Sequence, residues 1–326
     1  MKAFLLGAGA SRGTVGTFRV PVAAEFGETL AALDPCWNDH YPALALVVEH
    51  LGLSLDPAKW SLEPVWSCID YYAKLQASLP LPKPWRDESP QIKKALLAVY
   101  GQRCDDEADR TADDSTLSQL FQNELQAGDV LISFNYDTIA ERLAQKWRHQ
   151  LAAVPRDGSG VVKLAKPHGS TSWILDLTSR SVTWLSHDGQ PILSSLSASD
   201  VDCGREPLVL GAVHIKSELI REVQELGMTR GVFDAISTQW RAVVEAIRDA
   251  DTIFVVGYSF PREDQYGRFL VREGLRLRTG SPRIEFFEVE DRGAERAREI
   301  FNVFEGHVRE LVFRGPVQPG GRVNRR

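Results

Sequence analysis

The chain has 326 residues, 43% hydrophobic and 25% charged, the balance of a folded globular protein built as one large domain with an insert or as two domains. A net charge of -6 and a sequence pI near 5.7 give no overall basic field, which argues against nucleic-acid binding by the bulk of the chain. Cys36, Cys68, Cys104 and Cys203 form no C-x-x-C pair, so neither a zinc ribbon nor a disulfide framework is implied, and reduced, buried thiols are expected.

The chain opens on the short apolar run Ala3 to Leu6, which breaks into Gly7-Ala8-Gly9-Ala10-Ser11. That pattern predicts a buried first strand and a tight turn, not a secretory leader. No later apolar run is long enough to span a membrane, so a cytoplasmic protein is expected. Pro21 suits a first helical turn, and Val22, Phe26, Leu30 and Leu33 recur along one helical face.

From 34 to 124 the pattern is helical and strand-poor, marked by Leu62, Val65, Ile69 and Tyr72, then Ile92, Leu96 and Val99, then Leu117, Leu120 and Phe121. It predicts a helical insert in a domain made of 1–33 and 125–326. Trp60, Trp66 and Tyr72 read as its core, and the acidic run from Asp105 to Arg110 as an exposed loop.

Strand signals return at Val130 to Phe134, which run into Asn135-Tyr136-Asp137 and a helix carrying Ile139, Leu143 and Trp147. The same grammar recurs where Val161 to Leu164 precede Pro167-His168-Gly169-Ser170, and where Thr252 to Val256 precede Gly257-Tyr258-Ser259. It recurs again where Arg283 to Val289 end at Glu290 and Asp291. Between Thr171 and Ser186, two apolar runs around a polar turn predict a β-hairpin. The glycine-, proline- and arginine-rich tail from 315 to 326 is expected to be disordered. Alternating strands and amphipathic helices predict an α/β fold: a Rossmann-like, doubly wound parallel sheet with a helical insert and a small β-hairpin. Ligands of such sheets sit beyond the strands' carboxyl ends, so Ser11, Asn135, His168, Ser259 and Glu290 are expected to face one crevice.

The glycine turn fits either backbone N–H groups approaching a pyrophosphate or a plain structural turn. Arg12 stands where a dehydrogenase fingerprint needs its third glycine, which disfavours hydride transfer. The Asn135 carboxamide can orient a water or a ribose hydroxyl but cannot act as a base, and Asn135 with Asp137 also fits a turn and helix cap. His168 can accept a proton near neutral pH, whereas the other six histidines read as structural. No metal-binding spacing, Walker loop or G-x-S-x-G elbow occurs.

Taken in order, Gly7-Ala8-Gly9-Ala10-Ser11, Phe134-Asn135-Tyr136-Asp137, Lys166-Pro167-His168-Gly169-Ser170 and Gly257-Tyr258-Ser259 resemble the sirtuin-like domains of bacterial anti-phage defence proteins. Leu62-Glu63-Pro64-Val65-Trp66-Ser67 and the segment Pro261 to Asp264 are similar to further motifs of that family, and the resemblance covers nearly the whole chain. It implies a Rossmann-like enzyme that hydrolyses NAD to nicotinamide and ADP-ribose, with no metal. Asn135 matches the asparagine that holds the attacking water and His168 the catalytic histidine. Gly7, Ala8, Gly9, Ala10 and Ser11 match the phosphate loop, and Asp137, Gly257, Ser259, Asp264 and Glu290 are carried over to the nucleotide site. Deacetylating sirtuins carry a four-cysteine zinc module after the His-Gly pair, which this chain lacks. NAD-dependent deacylation or ADP-ribosyl transfer remains one alternative, and a nucleotide-sensing subunit without turnover another. Destruction of NAD in a healthy cell must be held in check, so gating by homo-oligomerisation or by a partner protein is expected. The resemblance implies as a candidate partner a separately encoded ATPase of HerA type.

Overall fold

The computed structural model describes residues 1–12, 20–68, 88–101, 104–106, 115–154, 160–176, 178–179, 181–185, 190–210, 230–287, 291–302 and 310–314. In chain order the elements are β1 (Lys2–Leu6), α1 (Ala8–Arg12), α2 (Phe26–Leu33), α3 (Trp37–His40), α4 (Pro42–His50), α5 (Glu88–Tyr100) and α6 (Thr116–Asn123). They continue as β2 (Val130–Ser133), α7 (Ile139–Lys146), β3 (Leu151–Ala153), β4 (Val162–Ala165), β5 (Gly169–Asp176), β6 (Ser181–Thr183), α8 (Ala198–Asp202) and β7 (Arg205–Val209). The last are α9 (Arg230–Asp249), β8 (Thr252–Val256), α10 (Gln265–Arg276), β9 (Arg283–Phe287), α11 (Asp291–Asn302) and β10 (Glu310–Arg314).

Seven strands pair in the order β10-β9-β8-β1-β2-β4-β3, every pair parallel. β1 is central because its side chains are apolar on both faces. Ala3 and Leu5 pack with Val130, Ile132, Val243 and Ile247 on one side. Phe4 and Leu6 pack with Phe121, Leu131, Ala140 and Leu143 on the other. Helices therefore cover both faces, as a parallel sheet needs. Phe4 is fully buried, stacked on Phe254 at 4.9 Å and edge-on to Phe121 at 6.2 Å. Truncating it to Ala would cost about 3–5 kcal/mol. From β1 the chain passes to β2 on one side and later to β8 on the other, so the sheet's switch point lies beyond the carboxyl ends of β1, β2 and β8.

The predicted hairpin is present as β5 and β6, but β7 pairs antiparallel on β5's other edge and makes a three-stranded sheet. Glu206 and Pro207 hide β7 from a pattern search, and Pro207 is tolerated because β7 is an edge strand. The described residues of 34–124 include helices and no strand, with Leu44, Val47, Trp60, Val65 and Leu96 in one apolar cluster.

Several expectations are corrected. Pro21 and Val22 lie outside helix: a 3-10 turn, Ala23–Glu25, precedes α2, because the Glu25 carboxylate accepts the Val22 N–H at 3.3 Å. Asp105 is buried, accepting from Thr138 Oγ1 at 2.6 Å and from Ser195 N at 2.7 Å, so it ties α7 to a loop and does not sit in a solvated one. Cys68 and Cys104 are buried thiols, while Cys36 and Cys203 are exposed. Trp60 and Trp66 are buried as expected. Ile69, Tyr72, Glu290 and the tail from 315 to 326 lie outside the described residues. Among the described residues no helix is long and apolar enough to cross a membrane.

Candidate active site

The β1–α1 turn and the end of β8 touch backbone to backbone. Gly7 N donates to Val256 O and Gly9 N to Gly257 O, each at 3.0 Å, and Ala10 N donates to Gly7 O at 2.9 Å. A Cβ on Gly7 would meet Tyr258 Cα at 2.5 Å, and one on Gly257, whose φ is +56°, would meet Ala10 N at 2.1 Å. The glycines thus permit two turns to interlock. The N–H groups of Gly7, Gly9 and Ala10 are spent inside the protein, which corrects the expectation that this turn leaves them for a pyrophosphate.

Asn135, at the end of β2, is buried against this turn. Its Nδ2 donates to Gly7 O at 2.9 Å and to Ser11 Oγ at 2.8 Å. Both amide hydrogens are therefore used within the protein, so Oδ1 is the atom the side chain presents to a ligand. Ser11 Oγ in turn donates to Asp137 Oδ1 at 3.1 Å, and Asp137 Oδ1 accepts from Ile139 N at 3.0 Å. Burial pushes the Asp137 carboxyl up from 3.8 to about 6; the Lys166 ammonium opposes this and the Glu141 carboxylate reinforces it. Lys166 Nζ donates to Glu141 Oε1 at 2.6 Å and to the Asp137 carbonyl at 2.5 Å.

His168 sits where β4 hands over to β5. Gly169, at φ +78°, follows it, and a Cβ there would lie 2.0 Å from Leu208 O, so only glycine lets β5 pair with β7 at this point. His168 O accepts from Leu210 N at 2.8 Å, and Pro167 O accepts from Trp240 Nε1 at 3.0 Å. The ring is edge-on to Phe134 at 5.1 Å, and its Nε2 lies 3.2 Å from the Asp264 carboxylate. Asp264 also accepts from Tyr258 OH at 2.6 Å and from Gly267 N at 2.9 Å, so it caps α10. With that carboxylate acting as acceptor, the Nε2 proton points to Asp264 and the basic lone pair belongs to Nδ1. Phe260, between them in the chain, has a left-handed φ of +50° and is fully buried against Tyr258 and Phe301. Its burial holds a strained backbone that sets the β8–α10 loop.

These turns enclose a cleft of about 570 Å³ at the switch point, within the ~300–1,000 Å³ typical of small-molecule sites. Gly7, Ala8, Gly9, Asn135, Asp137, His168, Gly257, Ser259 and Asp264 all line it. Ala10 does not: it is buried in the sheet's apolar cluster with Phe4 and Leu6. Ser11 stands behind Asn135 and not on the wall, and Glu290 lies outside the described residues. The helical layer supplies a wall that the residue patterns did not assign to the site: Glu63, Trp66 and Tyr100, with Arg12 at the turn. Arg12 pairs with Glu25 at 2.7 Å. Burial, with the Glu263 carboxylate adding to it, raises the Glu63 carboxyl. Among the described residues no group of three or more His, Cys, Asp or Glu side chains is arranged to hold a metal.

No family model matches the chain. No curated protein matches it either. Among solved structures it is similar to Sir2 in complex with an inhibitor, 2'-O-acetyl-ADP-ribose and deacetylated p53 peptide, at 12% identity over 94% of each chain and a TM-score of 0.32. It is also similar to a Sir2 homologue mutant in complex with ADP-ribose, at 15% identity over 94% of this chain and 92% of that one, with a TM-score of 0.33.

Proposed function

We propose that the cleft hydrolyses NAD at the bond between nicotinamide and ribose, giving nicotinamide and ADP-ribose. The observation that carries this reading is that Asn135 and His168, from different strands, line one cleft with their polar atoms fixed from behind. The residues suit the substrate: Oδ1 of Asn135 and the Asp137 carboxyl offer acceptors to ribose hydroxyls or water, and the glycine turn adds no side-chain bulk. Among the described residues that line the cleft, Arg12 carries the one guanidinium for the pyrophosphate, and it is paired with Glu25.

The leaving nicotinamide departs neutral, so the step needs a positioned water and a shielded oxocarbenium-like sugar more than strong acid catalysis. Asn135 holds the water through Oδ1. His168 accepts a proton from that water or from a ribose hydroxyl and returns it to solvent, so that NAD and water become nicotinamide, ADP-ribose and one proton.

The test is to incubate the purified chain with NAD and follow both products by chromatography, with His168→Ala and Asn135→Ala in parallel. Product from the parent chain alone is expected. Absence of product and of calorimetric NAD binding would overturn the assignment. In a cell, such an activity would serve anti-phage defence by draining NAD and would be gated by self-assembly or by a separately encoded HerA-type ATPase. A fully active monomer without any partner would remove the gating.

A further inference from the structure

The Lys166–Glu141 pair lies beneath the cleft and has no part in the chemistry above. The two side chains are 1% and 2% exposed, and such a buried pair is often no more stabilising than apolar residues of the same shape. Its location is more informative. Lys166 also donates to the Asp137 carbonyl, and its charge is the main influence drawing the Asp137 carboxyl toward its ionised form. Ionised Asp137 can only accept, and besides the Ile139 N–H it accepts the single hydrogen of Ser11 Oγ. Ser11 Oγ must then accept from Asn135. That fixes Nδ2 inward, because the reversed amide would set Oδ1 against lone pairs on both Ser11 Oγ and Gly7 O.

We propose that Lys166, Glu141, Asp137 and Ser11 form a buried positioning chain that, together with the Gly7 carbonyl, sets the orientation of the Asn135 carboxamide and so presents Oδ1 to the cleft. The proposal rests on reading Asn135 as the group that holds water. It gives Ser11 the task of orienting an amide, in place of contacting phosphate. Protonated Asp137 could instead donate to Ser11 Oγ, and the demand for Nδ2 at that contact would relax. Among the described residues, the titratable groups that act on or feel Asp137 are Lys166 from the β4–β5 connection, Glu141 from α7 and Tyr100 from α5. Burial holds the Tyr100 phenol well above its usual value and therefore neutral, so the control falls to Lys166.

The experiment is to label asparagine with nitrogen-15 and follow the Asn135 side-chain amide from pH 5 to 8, alongside NAD turnover. In the parent chain both amide protons should move with one midpoint, which the acid limb of kcat shares. Ser11→Ala should abolish the amide midpoint and lower kcat at least tenfold with KM nearly unchanged. Lys166→Met should move the midpoint up by one unit or more, and Lys166→Arg should restore it. An amide signal indifferent to pH, or unaltered in Ser11→Ala, would overturn the chain. Should Lys166→Met fail to fold, Ser11→Ala decides alone, since it deletes one oxygen. If the amide behaves as expected but no variant or parent cleaves NAD, the positioning chain stands and the hydrolase reading falls.

Discussion

His168 Nε2 lies 3.2 Å from the Asp264 carboxylate, and Asp264 is also the residue that caps α10 through Gly267 N. The group that orients the candidate base is therefore anchored in a helix terminus and not in a mobile side chain. Tyr258 OH, at 2.6 Å, occupies the carboxylate's other oxygen.

Asp264→Asn should consequently separate orientation from folding. The amide can keep one acceptor oxygen for Gly267 N, but its NH2 then replaces the oxygen that accepts from Tyr258 OH and also lies 3.2 Å from His168 Nε2, and an NH2 there would favour the wrong imidazole tautomer. Turnover is expected to fall by about 10²–10⁴, the usual weight of general acid–base catalysis. Asp264→Ala would add a lost cap of about 1 kcal/mol and a stranded Tyr258 hydroxyl costing about 1–3 kcal/mol. Nicotinamide release and urea denaturation, measured on both variants, check this. Equal losses of activity and stability in Asp264→Asn would refute it.

Gly257→Ala tests the interlocked turns. The new methyl group would need space 2.1 Å from Ala10 N at a φ of +56°, so about 1–3 kcal/mol of backbone strain is expected together with displacement of the β1–α1 turn. Asn135 donates its inward hydrogen bond to Gly7 O in that turn, so NAD binding should weaken along with the melting temperature. Calorimetry on the folded variant reads the first and thermal unfolding the second.

The sheet was legible because five of its strands announce themselves as apolar runs that end in polar turns, and those ends are where the candidate site residues lie. β3, with only Leu151, Ala152 and Ala153, is too short for periodicity to register, and β7 and β10 begin or break on charged residues and proline. Within the site, residue type pointed to Asn135 and His168, because few side chains can hold water or accept a proton at neutral pH. It could not foresee that the Gly7 and Gly9 N–H groups are consumed by Val256 and Gly257, nor that Glu63, Trp66 and Tyr100 form a wall of the cleft. Those facts depend on how separated turns and layers meet. Asp105 was misread for the same reason: its partners, Thr138 and Ser195, are distant in sequence.

Asp137 links the site to pH through stability as well as through geometry. Its folded pKa of about 6 lies above its ordinary 3.8, mainly through burial. The folded chain therefore holds the proton more tightly, and this contribution to stability is lost as pH rises from about 4 through about 6. At 1.36 kcal/mol per unit the loss is on the order of 3 kcal/mol. Asp137→Asn has no proton to lose. Its stability relative to the parent chain should improve by up to about that amount between pH 4.5 and 7.5. Urea titrations at the two pH values decide the matter, and parallel curves would show that Asp137 does not titrate in this range.

The Lys166–Glu141 pair gives a prediction in which two substitutions do less harm than one. Lys166→Met leaves Glu141 buried without its cation, beside the second carboxylate of Asp137, and Glu141 Oε2 already has no hydrogen-bond partner. Breaking such a pair from one side typically costs about 3–5 kcal/mol. Lys166→Met combined with Glu141→Leu removes both charges and should recover most of that loss, leaving chiefly the missing bond to the Asp137 carbonyl, about 1 kcal/mol. Turnover should not recover with it, because no cation then favours ionised Asp137 and Ser11 no longer fixes Asn135. Equilibrium unfolding and NAD cleavage measured on the same three proteins separate these effects. A double variant restored in stability and activity alike would show that the pair serves the fold alone.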